Sequence, residues 1–175
     1  MTGQINVNKI AARTGNTVTI NSGDKISGAA GSIVQPGMII QVVSAQYTTE
    51  VGSTSSTYTD TGLTATITPK YATSKILVQI NMNGSYKDQG NTATRSNTKV
   101  FRDSTELDLM SSALGYTNTS LRQSVGTASY VLLDNPSTTN AITYKTQFNS
   151  PDSTATTYWQ LNNVPSDITL MEIAQ

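Results

Sequence analysis

From residue 36 onward, apolar side chains recur at every second position in run after run, a spacing that buries one face of a strand and no face of a helix. Leu63, Ala65 and Ile67 alternate with Thr64, Thr66 and Thr68. Lys75 to Met82 sets Ile76, Val78, Ile80 and Met82 on one face and Leu77, Gln79 and Asn81 on the other. Shorter runs follow over 97–101, 106–109, 129–133, 143–148, 158–161 and 168–173, and Met38 to Val43 reads as a strand buried on both faces. Turn residues punctuate them: Pro36-Gly37 at the start, Asn83-Gly84 as a hairpin pair, Arg102-Asp103-Ser104-Thr105, and Asp134-Asn135-Pro136. About eight strands at this spacing predict an all-β fold, an antiparallel β-sandwich that is jelly-roll-like, over residues 36–175. No 12-residue window carries a 3.6-residue period, and Leu107 to Leu114 is expected to form a helical turn at most.

Residues 1–35 have a different texture. Short alternating pieces, Ile5-Asn6-Val7-Asn8-Lys9-Ile10 and Thr17-Val18-Thr19-Ile20, are split by turns at 14–16 and 21–24 and followed by Ile26 and the run Gly28-Ala29-Ala30-Gly31. Ile5, Val7, Ile10, Val18, Ile20 and Ile26 are too few to make a core and need a surface supplied by something else. The segment is expected to be an N-terminal attachment arm or stalk, and these six residues its docking contacts.

Composition narrows the chemistry. Thr, Ser and Asn make up about a third of the chain, whereas only 13% of residues are charged, 11 basic against 11 acidic. Thr suits a strand surface, because its branched Cβ fits the pleat while its hydroxyl stays wet. With no cluster of Lys and Arg, nucleic acid is not an expected partner. No apolar run reaches the roughly 18 residues that cross a bilayer, and Met1-Thr2-Gly3-Gln4 leads into polar sequence, so neither membrane insertion nor an N-terminal export signal is expected. The chain has no Cys and no His. That removes disulfides, thiolate catalysis, the commonest general base and the commonest metal ligands. No cofactor or metal is expected, and the chain reads as a non-enzyme.

Individual motifs are weak against their plain alternatives. Asp60-Thr61-Gly62 has the triplet of aspartic proteases, but Tyr58-Thr59 precedes it where apolar residues belong, and no second copy supplies the partner carboxylate. A turn before the alternating strand explains it. Asp103, Glu106 and Asp108, or Asp88 with Asn91, offer oxygen ligands without the spacing of a calcium loop, and read as solvated hairpin tips. Ser74-Lys75 and Ser124 lack the elbow that exposes a nucleophile. Trp159 and Tyr158, or Tyr47, Tyr58, Tyr71, Tyr86 and Tyr116, would suit sugar stacking, with Trp159 better placed in a core.

The blocks Tyr58-Thr59-Asp60-Thr61-Gly62-Leu63-Thr64-Ala65-Thr66-Ile67-Thr68-Pro69-Lys70 and Ser74-Lys75-Ile76-Leu77-Val78 carry a resemblance. So do Leu133-Asp134-Asn135-Pro136, Thr143-Tyr144-Lys145-Thr146-Gln147-Phe148 and the ending Ile168-Thr169-Leu170-Met171-Glu172-Ile173-Ala174. Over residues 36–175 the chain resembles the C-terminal β-domain of bacteriophage tail-fibre and virion surface proteins, marine ones in particular. The resemblance implies a jelly-roll-like sandwich, a homotrimer, and attachment to the particle through the N-terminus, that is, to other virion proteins through residues 1–35. It carries no catalytic or receptor-contact residue onto this chain. An extended arm of 35 residues reaches about 115 Å at most, too short for a long shaft. The expected function is therefore a short tail-fibre or fibre-tip subunit of the virion that helps bind a host surface glycan or protein. The alternative is a capsid decoration, neck or head-fibre protein that stabilises the particle.

Overall fold

A computed structural model of the chain describes residues 22–23, 25–28, 33–88, 94–117, 123–152 and 155–175. The chain divides into two units, Met1–Ile33 and Val34–Gln175, and the arm expected over residues 1–35 lies largely outside the described residues. The second unit is built almost wholly from antiparallel strands: β1 (Ile39–Tyr47), β2 (Val51–Ser53), β3 (Thr59–Ile67), β4 (Lys75–Asp88), β5 (Thr94–Arg102), β6 (Thr105–Thr117), β7 (Gln123–Asp134), β8 (Ile142–Asn149), β9 (Thr156–Trp159) and β10 (Ser166–Ile173). They form two sheets, as a β-sandwich requires. One runs β3-β8-β5-β6. The other is organised around β4, which pairs β7 along one edge and, along the other, β10 with its first half and β9 with its last residues. β1 then borders β10, and β2 borders β9.

The alternation read from the sequence places the core. Leu63, Ala65 and Ile67 on β3 are buried, as are Ile76, Val78, Ile80 and Met82 on β4. Ile168 and Leu170 of β10 join them, and Val100, Tyr144 and Phe148 close from the opposite sheet. Each such side chain contributes about 1.5–3 kcal/mol on leaving water. Towards the other end of the sandwich the buried residues turn polar, with Thr61, Ser85, Thr98, Thr146 and Thr157 enclosed. Thr61 and Thr146 satisfy each other by a hydroxyl–hydroxyl bond, and Thr61 Oγ1 also accepts the Leu63 N–H at 3.2 Å.

Two carboxylates fasten the structure. Asp134, at the end of β7, accepts both of its bonds to Arg102 from Nη1, at 2.9 and 2.7 Å, and a third from the Tyr144 hydroxyl at 2.6 Å. Arg102 and Tyr144 belong to the opposite sheet, so this group ties the two layers together. Burial, and then the bond to Asp134, push the Tyr144 phenol well above its ordinary range. Glu172, on β10, is fully enclosed. Its Oε1 accepts the backbone N–H of Lys70 at 2.8 Å and of Tyr71 at 3.2 Å, and its Oε2 accepts Gln41 Nε2. Gln41 Nε2 also reaches the Thr68 carbonyl at 2.7 Å. The crossover from β3 to β4 thus hangs on one buried acid.

Four sequence expectations are corrected. Met38 to Val43 is not buried on both faces: β1 is an edge strand, and Ile39 and Val42 are 52% and 57% exposed. An apolar run reads alike whether its second face meets protein or water. Asn83-Gly84 is not a hairpin turn but a bulge inside β4, where the register to β7 slips between Met82 and Ser85. Leu107 to Leu114 lies within β6 and is strand throughout. The strands number ten among the described residues against the eight or so expected, and the three-residue β2 matches none of the runs read in the sequence.

Removing Glu172 strands two backbone donors. Glu172→Ala is expected to lower stability by roughly 2–3 kcal/mol, seen as a lower urea midpoint at unchanged slope. Glu172→Gln, which keeps one acceptor, should lose less. An unchanged midpoint in Glu172→Ala would remove this account of the crossover.

Candidate functional site

β4 outlasts its partner β10, and the chain departs from the sheet at that point. The bulge at Asn83-Gly84 is the cause. Gly84 has φ +67, and a Cβ there would sit 2.6 Å from the Leu161 backbone nitrogen. Only glycine admits that approach. The Gln160 N–H donates to the Asn83 carbonyl at 3.0 Å, and Asn83 Nδ2 donates to the Pro165 carbonyl at 2.6 Å. Ser166 Oγ takes the Asn83 N–H at 3.0 Å and Gln160 Nε2 at 2.9 Å. The loop 160–165 is thereby held rigidly on β4 in a left-handed conformation, with φ 56, 57 and 62 at Gln160, Asn162 and Asn163. Such backbone persists only where its surroundings over-determine it.

This loop walls a cleft of about 440 Å³ lined by Glu50, Tyr86, Asp88, Tyr158, Leu161 and Asn162. The volume is that of a small-ligand site. Its floor follows from register. Tyr86 of β4 lies opposite Tyr158 of β9, and Tyr158 lies opposite Gly52 of β2. The two rings are 6.1 Å apart at 55°. A Cβ at residue 52 would come within 2.5 Å of the Tyr158 ring, so glycine is what lets that ring rest on the strand beside it. Glu50, exposed at the rim, accepts the Asn162 N–H through Oε2 at 3.2 Å. The result is an aromatic floor flanked by two acids and an amide, open to solvent.

Of the aromatic residues singled out in the sequence, Tyr86 and Tyr158 alone are brought together here. Trp159 is fully enclosed in the core. Tyr47 covers Gly62, whose own Cβ would fall inside that ring. The Tyr58 ring carries Lys99 Nζ at 4.4 Å, while Tyr71 and Tyr116 stand singly on the surface, 45% and 53% exposed. Glu50, Gly52 and Asn162 were not anticipated. They lie up to 112 positions from one another in the chain, and no local pattern marks them.

The remaining motifs are placed as follows. Asp60-Thr61-Gly62 is a bulge within β3 rather than a turn before it, with the register to β8 slipping between Asp60 and Thr64. Asp60 accepts Gln147 Nε2 at 2.8 Å and pairs with Lys145 Nζ at 3.0 Å. Asp103 accepts the Thr143 N–H, Glu106 pairs with Lys99, and Asp108 takes the Tyr130 hydroxyl, so these three acids serve three separate partners. Burial and then the Asp108 bond raise the Tyr130 phenol to about 12. Among the described residues no group of three acids is placed to hold a metal. Ser74 is enclosed behind the start of β4. The Ser124 side chain and Asn91 fall outside the described residues, as do docking candidates Ile5, Val7, Ile10, Val18 and Ile20. Ile26 is described, and is 64% exposed.

The solvent face of the β4 sheet carries a second feature, at the opposite end from the cleft. Register aligns Val42, Met171, Leu77 and Leu133 in one row across β1, β10, β4 and β7. The next row is Ser44, Thr169, Gln79 and Val131. Val42, Leu133 and Val131 are more than half exposed, and neither row holds a charge.

Two measurements test this description. Gly84→Ala should destabilise the protein by on the order of 1–3 kcal/mol, because both the backbone angle and the loop 160–165 must give way. A thermal midpoint equal to that of the parent would contradict the close approach. Burial raises the Asp60 carboxyl, but bonds from Gln147 and Lys145 outweigh it and hold it below 3.8. A depressed acid contributes stability above 3.8 that is lost as pH falls through its folded value. Carboxyl NMR should therefore find Asp60 titrating below the usual range, and higher in Lys145→Met.

Comparison with known proteins finds no family model that matches the chain and no curated protein that matches it.

Proposed function

We propose that the chain is a structural, non-enzymatic subunit of a bacteriophage particle, a short tail-fibre or fibre-tip protein that assembles as a homotrimer. On this reading it is attached through residues 1–35 and helps bind the host surface. The observation that carries the assembly is the uncharged apolar face of the β4 sheet. The row Val42, Met171, Leu77 and Leu133, with Val42 and Leu133 more than half exposed and no charge in the row beside it, is the apolar surface this reading assigns to packing. Four strands about 4.8 Å apart and two or three rows about 7 Å apart make a face on the order of 15 Å square. That is well below the roughly 800 Å² each partner buries in a stable pair. The face is therefore one part of the proposed contact, and the threefold assembly follows from the resemblance over residues 36–175.

Polarity along the strands supports the same reading. Val34–Met38 lead into β1 at the apolar end, where Gly37 N–H donates to the Ala174 carbonyl at 2.8 Å. The cleft lies beyond the other end of β1, roughly 30 Å along β4 by the nine residues from Leu77 to Tyr86. Chain entry and assembly at one end, with a binding cleft at the other, is the arrangement a fibre tip needs. The finer fold assignment, a jelly roll, is favoured by strand order: β1-β10-β4-β7 facing β3-β8-β5-β6 is the order produced by two interlocked Greek keys.

Sedimentation equilibrium at micromolar concentration is expected to return three times the chain mass. Leu133→Lys and Val131→Lys, both on exposed positions, should return a folded monomer. A monomeric parent, or trimers undisturbed by both substitutions, would overturn the assembly proposed here.

A further inference from the structure

We infer that the two edges of the β4 sheet are joints between copies, with β7 of one chain pairing antiparallel to β1 of the next. This rests on the reading of the chain as a self-assembling subunit and names the contact that joins its copies. An edge strand offers unpaired backbone N–H and C=O groups to any passing strand, and free sheets blunt it with charges, bulges, proline or very short strands. The β3-β8-β5-β6 sheet is blunted on both sides. β3 carries Asp60 and a slip in register between Asp60 and Thr64. β6 carries Glu106 and Asp108 and slips repeatedly against β5. The β4 sheet is not. β1 has no charged residue and no proline, and it keeps register with β10 from Gln41 to Tyr47. β7 has one charge, Asp134, at its last position and already bound to Arg102 and Tyr144. It keeps register with β4 from Ala128 to Asp134. Lys70 Nζ meets the Ile40 carbonyl at 3.4 Å, ahead of the regular stretch of β1. Neither strand has a second strand partner among the described residues.

A second copy of this chain fits both edges at once. β1 runs antiparallel to β10, β10 to β4 and β4 to β7. β1 and β7 therefore run in opposite senses, and β1 of a second copy laid beside β7 continues the alternation. Side-chain direction agrees. Leu133, Val131 and Ser129 are exposed on β7, as are Val42, Ser44 and Gln46 on β1. An odd slip would set outward side chains against inward ones, so pairing in steps of two residues carries the apolar rows across the joint. The other sheet covers the core side, so the joined sheets curl away from it and turn these rows towards a common axis. A twofold pair of β7 with β7 would use one edge and leave β1 in water. Pairing of unlike edges uses both, and closes into a ring when the rotation permits.

The chain has no cysteine, so engineered thiols report contacts without background. Leu133→Cys is combined in turn with Val42→Cys, Ser44→Cys and Gln46→Cys under mild oxidation. Within one chain β10 and β4 separate β1 from β7 by about 14 Å, at about 4.8 Å per strand. A disulfide spans roughly 7 Å between Cα atoms at most, so any bond formed joins two copies. At least one combination should run as covalent dimers and trimers on a non-reducing gel, whereas each single variant should run as a monomer. The inference is overturned if none of the three combinations cross-links, or if Leu133→Cys alone gives a quantitative dimer, the mark of β7 pairing with itself. Sedimentation of the same proteins separates the two readings. A trimer that forms no cross-link sinks the edge joint and leaves the assembly standing, whereas a monomeric parent sinks both.

Discussion

The structure depends on one strand changing partners midway. β4 runs for 14 residues, longer than β10 and β9 together can be when each covers only part of its length. Its bulge at Asn83-Gly84 is where the first partner ends and the second begins. A bulge bends and twists a strand locally and disrupts pairing there, and that interruption lets the loop 160–165 leave the sheet and return. Without the break, β9 and β10 would have no room for the connection between them. The cleft is a by-product of the same break, because its wall is that connection and its floor is the part of β4 beyond it.

The layers are then secured by a small number of buried or half-buried acids. Few charges are available in this chain, and those used internally are saturated with donors. Asp134 takes three bonds from the opposite sheet. Glu172 takes two backbone N–H groups and a side-chain amide. A buried carboxylate is tolerable only when its desolvation is offset in this way. These acids stand at the apolar end of the core, close to where the chain enters the domain. The opposite end encloses small hydroxyl side chains, of which Thr61 and Thr146 bond each other while Thr98 Oγ1 and Thr157 Oγ1 meet no hydrogen-bond partner among the described residues.

Function, on the reading proposed, follows from placement rather than from reactive groups. The acids that a sequence search would nominate for catalysis or metal binding are dispersed to separate partners across hairpins and bulges. What converges instead is a pair of tyrosines with a glycine between strands. Assembly through the apolar rows would multiply a weak contact at each cleft into useful avidity, which is how a shallow, open site becomes effective on a surface bearing many copies of its ligand.

The sequence by itself determined the fold class, because a two-residue period admits only strands, and it determined the inward residues of β3 from Leu63 to Ile67 and of β4 from Ile76 to Met82, short of the bulges. It also marked Trp159 for the interior, since a large apolar ring is most stable out of water. Tertiary structure alone decided which strands lie at an edge. The run from Met38 to Val43 looks fully buried until β1 is seen to have one neighbour and an uncovered face. It likewise decided that Asn83-Gly84 continues a strand: the same pair closes a hairpin or forms a bulge according to what packs upon it, here the backbone of Leu161. The candidate site was legible only in its two tyrosines. Glu50, Gly52 and Asn162 join them through pairing between strands distant in the chain, and a local pattern cannot record a register that is set by long-range hydrogen bonds.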